Sequence, residues 1–114
     1  MQQSELPKAI KRAMRSLVGI AYETELRRAL EYLYGNFHEW KSGGIDSFEL
    51  SDRIHKFHDG ANRDIYLRYT SKLDPRFLVR QALEEDTLQK AAVPKEVWPY
   101  LEVLSNLPGR SLKR

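Results

Sequence analysis

The 114-residue chain contains no cysteine, which excludes disulfide bonds and thiolate metal sites. It also has no long hydrophobic run. The longest nearly apolar stretch, LVGIAY at 17–22, is far shorter than the roughly 20 residues that cross a bilayer. The first residues, MQQSELPKAIKRAM, lack the apolar segment of a secretory signal. We therefore expect a cytoplasmic protein without a membrane span.

Recognisable catalytic motifs are missing as well. The sequence has no glycine-rich phosphate loop, no nucleophile elbow and no Asp/Asn-rich calcium loop. No segment alternates between polar and apolar residues for long enough to indicate a half-buried strand. These absences favour an all-α, non-enzymatic protein that needs no cofactor.

The net charge of +3 is unevenly distributed along the chain. The first fifteen residues carry +3 and the last five carry another +3, which leaves −3 on the residues between them. Helical spacing places the four N-terminal cations on one face, opposite an apolar stripe. They are Lys8, Lys11, Arg12 and Arg15. Such a face could stay solvated, or it could bind an acidic protein surface, nucleic-acid phosphates or an anionic membrane. We interpret it first as a solvated or partner-binding surface.

The first half of the chain is predicted to form a long antiparallel helical hairpin. Apolar residues at helical spacing indicate one helix over 6–41, with a possible break at an internal glycine. Gly43 and Gly44 end it, and a loop this short returns the chain antiparallel as a second helix over 46–70. The apolar stripe of this second helix runs through Asp59 and Gly60. Either Gly60 ends the helix, or the helix continues there, kinked or unkinked.

Two shorter helices are predicted in the second half. Asp74 caps a helix over 75–86 that has proline at its first position, and its acidic end is expected to fray. Another helix over 94–106 contains Pro99, which is tolerable in a first turn or delays the true start. Residues 107–114 form a basic tail. The predicted fold is a single all-α domain over 1–114, a small bundle of four or five helices.

Two histidines beside an aspartate form the most distinctive local cluster. His55 and His58 are three residues apart, so a helix points both imidazoles the same way, and Asp59 or His38 could complete a metal site. In the structural alternative, the cluster marks a helix end and Asp59 pairs with Arg63 four residues later. A third interpretation makes His55, Asp59 and Arg63 an exposed contact site for a partner.

The segment YLYGNFHEW at 32–40 concentrates aromatic residues, which helical spacing assigns to the core or to a subunit interface. A long hairpin also carries more apolar stripe than two short helices can easily cover, so we expect a homodimer. The predicted function is a protein–protein interaction, regulatory or adaptor module that acts through helix faces. The alternatives are nucleic-acid binding by the basic face of the first helix and a metal-dependent activity at the His/Asp cluster.

Overall fold

The computed structural model describes residues 6–102, and within that range all regular structure is helical. Five α-helices are present: α1 (Lys8–Lys41), α2 (Ser47–Phe57), α3 (Arg63–Thr70), α4 (Pro75–Glu84) and α5 (Trp98–Glu102). A π-helical turn (His58–Asn62) joins α2 to α3, and short 3-10 turns (Lys90–Ala92 and Lys95–Val97) precede α5. The all-α prediction and the long N-terminal hairpin are confirmed.

Helix α1 is continuous over 34 residues and does not break at either internal glycine. It ends in a left-handed cap. Gly43 has φ of 90°, and the next amide, that of Gly44, donates to the carbonyl of Glu39 at 2.8 Å. A Cβ atom on Gly44 would lie 2.9 Å from Cγ of Glu39, so this position also needs glycine. The glycine pair therefore provides both the turn and the close approach that start the hairpin.

The second arm of the hairpin stays helical from Ser47 to Thr70, with the π turn in place of a break. A π turn holds about one residue more than an α turn. In an uninterrupted α-helix, Asp64 would lie nearer than Ile65 to the side that carries Phe57. The extra residue brings Ile65 to the inner side instead, and Ile65 is buried. The π turn thus keeps the apolar stripe aligned past Gly60.

Helix α4 begins where its sequence signal predicts, whereas α5 begins at Trp98, four residues after the predicted start at 94. The carboxylate of Asp74 caps α4 by accepting from the amide of Arg76 at 2.9 Å, and Pro75 takes the first position. Helix α4 ends at Glu84, two residues before the predicted end, and Asp86 follows with φ of 60°. Pro99 delays the last α-helix to Trp98. The predicted end of that helix at 106 and the tail over 107–114 lie outside the described residues.

Contacts divide the described chain into two compact units, and α1 contributes to both. The terminal unit contains residues 6–22 and 72–102, and the hairpin unit is Glu23–Ser71. Most buried apolar side chains belong to the terminal unit: Ile10, Met14, Leu17, Ala21, Leu78, Val79, Ala82, Leu88, Val93, Val97 and Leu101. The hairpin unit buries only Leu50 and Ile65 among its apolar residues. The single-domain assignment stays a prediction.

Candidate interaction surface

Polar side chains hold the two arms of the hairpin together near its turn. Arg53 of α2 donates to the side-chain oxygen of Asn36, which is buried on α1, and to Glu39 at 3.1 Å. Its Nε also donates to Glu49 at 2.9 Å. Asn36 in turn donates to the carbonyl of Tyr32 at 2.9 Å. Because these bonds join α1 to α2, they fix the axial register of the hairpin.

A second polar cluster joins the arms at the open end of the hairpin. Glu25 of α1 accepts from Arg68 and, at 2.8 Å, from the hydroxyl of Tyr69. Burial of the ring, together with its bond to the Glu25 carboxylate, raises the pKa of Tyr69 to about 12. Polar groups thus occupy both ends of the inter-helix contact.

The apolar stripe of α1 points partly away from this contact. At about 100° per residue, Leu30 lies roughly 120° and Phe37 roughly 100° around α1 from the inward-facing Asn36. Leu30 is 46% exposed, and Tyr34, a further turn along, is 71% exposed. The second arm therefore leaves one side of the stripe uncovered.

The second arm presents two exposed apolar side chains, Ile54 and Tyr66, on the same side of the hairpin, with His58 and Asn62 between them. Ile54 lies roughly 100° around α2 from Arg53. This angle runs in the same sense along the chain as the angle from Asn36 to Phe37 on α1. Because the two helices are antiparallel and both right-handed, equal rotations lead to one common side of the pair. Ile54 is exposed there, and so is Tyr66 beyond the π turn. These two side chains and the uncovered side of the α1 stripe together form a surface that we call the open face, with these members: Leu26, Leu30, Tyr34, Phe37, Ile54 and Tyr66.

Each outer edge of the open face contains a shallow groove. The groove on α1 has a volume of about 430 Å³ and is lined by Glu23, Leu26, Arg27, Leu30, Glu31 and Tyr34. The groove on the second arm has about 300 Å³ and is lined by His58, Asn62, Arg63 and Tyr66. Both grooves are open along the side of their helix, a shape that suits side chains of another helix.

The predicted His/Asp cluster does not form a metal site in the described chain. Within residues 6–102, no three His, Asp or Glu side chains are grouped to hold a metal ion, so His38 does not complete a site with His55, His58 and Asp59. The geometry gives the metal hypothesis no support. His55, Asp59 and Arg63 are all exposed, as the partner-contact interpretation requires.

The prediction of an ion pair between Asp59 and Arg63 was wrong. No ion pair joins these two side chains in the part of the chain that the structure describes. The π turn spans Asp59, and its wider winding removes the stacking that residues four apart have in an α-helix. Arg63 faces the groove of the second arm instead.

The basic face of α1 is solvent-exposed at all four predicted positions, Lys8, Lys11, Arg12 and Arg15. A groove in the terminal unit brings a fifth cation to it, because Lys72 lines that groove together with Lys11 and Arg15. In the same groove Arg76 binds Asp74 at 2.6 Å and lowers the pKa of that carboxyl. The sequence offered no signal for the position of Lys72, which follows α3 by two residues.

The aromatic segment at 32–40 does not form a core within the described chain. Phe37 and Trp40 are both more than one-third exposed, and Trp40 uses its indole N–H to bind Ser47 at 3.0 Å. The core assignment was therefore wrong for these two residues. The interface assignment stays a prediction.

No protein-family model, no curated protein and no solved structure matches the chain. Among residues 6–102, no helix combines the length and the apolar character needed to cross a membrane.

Proposed function

We propose that the protein is a non-enzymatic interaction module, of a regulatory or adaptor kind, that binds another protein through the open face of its hairpin. The observation that carries this proposal is the exposure of apolar side chains from both arms on one side of the hairpin. A surface of this kind, apolar in its centre and polar at its edges, is typical of protein interfaces.

The distribution of polar groups supports this use of the open face. Arg53 and Glu25 make their hydrogen bonds within the hairpin, so the polar clusters hold the two arms in place. The exposed residues Leu30 and Tyr34 are then presented on a helix whose axial register is fixed. A rigid helical surface loses little conformational entropy when a partner binds.

Affinity capture with three forms of the chain tests the proposal. Leu30→Asp places a charge on the open face. Phe48→Asp is the matched control, because Phe48 is 86% exposed and lies roughly 140° around α2 from Arg53 in the opposite sense. We expect proteins that the wild-type chain retains to be lost with Leu30→Asp and kept with Phe48→Asp. Equal retention by all three folded forms would contradict the proposal.

A second candidate function is nucleic-acid binding by the basic face. The specific observation in its favour is that Lys72 joins Lys11 and Arg15 at one groove, which widens the cationic surface beyond a single helix. Phosphate contacts by three to five cations would give a steep dependence of affinity on salt.

A salt titration of DNA and RNA binding tests this second function. Each lost phosphate contact should reduce the slope of log affinity against log salt by about 0.9. A triple variant with alanine at Lys11, Arg12 and Arg15 should therefore lose nearly three units of slope, whereas alanine at Lys90 and Lys95 should leave it unchanged. The absence of any salt-dependent binding by the wild-type chain would exclude this function.

A further inference from the structure

We infer that a basic groove in the terminal unit binds a short acidic peptide segment of a partner protein, one that carries an apolar side chain between its carboxylates. The basic groove is the cavity of about 450 Å³ that is lined by the beginning of α1 and by residues 72–76. This surface is distinct from the open face, so the inference goes beyond the proposed function and does not depend on it. Unneutralised positive charge, an apolar lining and a fixed wall identify the ligand.

The basic groove has a positive charge that the described chain does not neutralise. Lys11, Arg15 and Lys72 line the groove, are all exposed, and take part in none of the ion pairs among residues 6–102. The carboxylate of Asp74 also lines it, but Arg76 already donates to that carboxylate from Nη2 at 2.6 Å and from Nε at 3.1 Å. Four cations and one carboxylate give the groove a net charge of +3, so it favours an anionic ligand.

The beginning of α1 adds to this positive potential. Between residues 6 and 22 the sequence has four basic residues and no acidic one. Lys8 and Lys11 lie in the first turn of α1, which contains no acidic side chain. The N-terminus of a helix is the positive end of the helix dipole, so cations there are unfavourable and anions are favourable. A carboxylate bound beside Lys11 would therefore relieve repulsion within the protein as well as form a new ion pair.

The apolar lining of the groove favours a peptide over a nucleic acid. Leu6, Leu73 and Pro75 line it beside the cations, and Leu73 is 44% exposed. A phosphate backbone offers little apolar surface to these side chains, and single-stranded nucleic acids are held largely by stacking on aromatic rings. No aromatic residue is among the described residues that line the groove. An aliphatic side chain of a peptide, in contrast, can cover Leu73 while neighbouring carboxylates reach the cations.

The spacing of the cations on α1 matches that of an extended peptide. Lys11 and Arg15 line the groove and are one helical turn apart, about 6 Å along the axis. In an extended peptide, side chains two residues apart point to the same side at a separation of about 7 Å, and the side chain between them points to the opposite side. An acidic–apolar–acidic sequence would therefore place its carboxylates toward α1 and its apolar side chain toward the other wall, which contains Leu73 and Pro75.

This other wall is held in place without a ligand. The carboxylate of Asp74 accepts from the amide of Arg76 at 2.9 Å, and Pro75 fixes the backbone at the first position of α4. Val79, one turn further along α4, is fully buried in the terminal unit. Leu73 is thus presented beside a segment that is already ordered, so binding requires little ordering of the protein itself.

Titration of the isotope-labelled wild-type chain with a defined peptide, followed by NMR, tests the inference. The probe is a short blocked peptide in which one leucine is flanked on each side by two acidic residues. We expect saturable shifts of the backbone amides of residues 11–15 and 72–76, with a Kd below about 1 mM at low salt. Replacement of the acidic residues by their amides, or of the leucine by serine, should each weaken binding by about fivefold or more. Unchanged affinity for either control peptide would overturn the inference.

Matched variants of the protein test whether the peptide lies in the groove. Lys11 and Arg12 are neighbours on α1 and are both exposed, but only Lys11 lines the groove. Lys11→Ala should weaken peptide binding by about threefold, whereas Arg12→Ala should change it less than about 1.5-fold. Leu73→Ser should also weaken binding, and Leu67→Ser is its control because Leu67 is 48% exposed and does not line the groove. Equal effects of Lys11→Ala and Arg12→Ala would contradict a ligand held in the groove.

Other ligands and the other surface are separated by the same titration. Duplex DNA and vesicles of phosphatidylglycerol are the competing anionic probes. If either of them binds while the acidic peptide does not, the groove serves a phosphate-bearing ligand and the inference is wrong. Leu30→Asp on the open face should leave peptide binding unchanged, so failure of the proposed function and failure of this inference give different results.

Discussion

Removing one residue from the π-helical turn should leave the hairpin intact, whereas removing one residue from α2 should not. Deletion of Gly60 shortens the turn by the single residue that distinguishes it from an α turn, so Phe57 and Ile65 keep their shared side. Nothing among the described residues lies within 4 Å of a Cβ atom built on Gly60, so little packing is lost. Deletion also removes the conformational entropy that Gly60 loses when the helix forms, which is worth about 1 kcal/mol. We expect a free energy of unfolding between the wild-type value and about 1 kcal/mol above it.

Deletion of the exposed Ser51 is the matched control, because it rotates everything after it by about 100°. Ile65 then leaves its buried position at a cost of about 2–3 kcal/mol, and the bonds of Arg53 to α1 are lost as well. Urea unfolding followed by circular dichroism measures both deletions against the wild-type chain. Equal destabilisation by the two deletions would refute the explanation of the π turn as a register correction.

Three further predictions concern single side chains and are checked by the same unfolding measurement. The raised pKa of Tyr69 means that the contribution of this side chain to the free energy of unfolding is fully present below pH 10 and is lost as the pH rises from about 10 to about 12. Tyr69→Phe should remove roughly 1 kcal/mol of that dependence once solvent screening is included. Met14→Ala should destabilise by about 3 kcal/mol, because Met14 is fully buried in the terminal unit; a cost below about 1 kcal/mol would contradict that packing. The lowered pKa of Asp74 means that the contribution of this carboxylate to the free energy of unfolding is present at neutral pH and is lost as the pH falls through that lowered value. Asp74→Ala should therefore cost about 2 kcal/mol at neutral pH and progressively less in acid. A cost that does not change with pH would contradict the pairing of Asp74 with Arg76.

Local signals were sufficient to predict most of the helices. The apolar periodicity predicted α1 to within two residues at its start, and the glycine pair at 43–44 predicted its end. Asp74 and Pro75 fixed the start of α4. Each of these signals acts through neighbouring backbone atoms, so a single sequence contains the necessary information.

The π turn and the polar clusters could not be predicted in the same way. Phe57, Ala61 and Ile65 follow one another at intervals of four residues. This spacing is compatible with a helix that ends at Gly60 as well as with a continuous helix. The bond between Arg53 and Asn36 joins residues 17 positions apart, and its formation depends on the relative rotation of two helices. Periodicity does not determine that rotation, which also decides how much of the α1 stripe is left open.

The most direct test of self-association through the open face is hydroxyl-radical footprinting of the wild-type chain over a range of its own concentrations. Tyr34 and Tyr32 are two residues apart in sequence and almost equally exposed, at 71% and 74%, but only Tyr34 belongs to the open face. The account predicts that oxidation of Tyr34 and Tyr66 falls as the concentration rises, while oxidation of Tyr32 and Phe48 does not change. Unchanged oxidation of Tyr34, or equal protection of Tyr32, would contradict it.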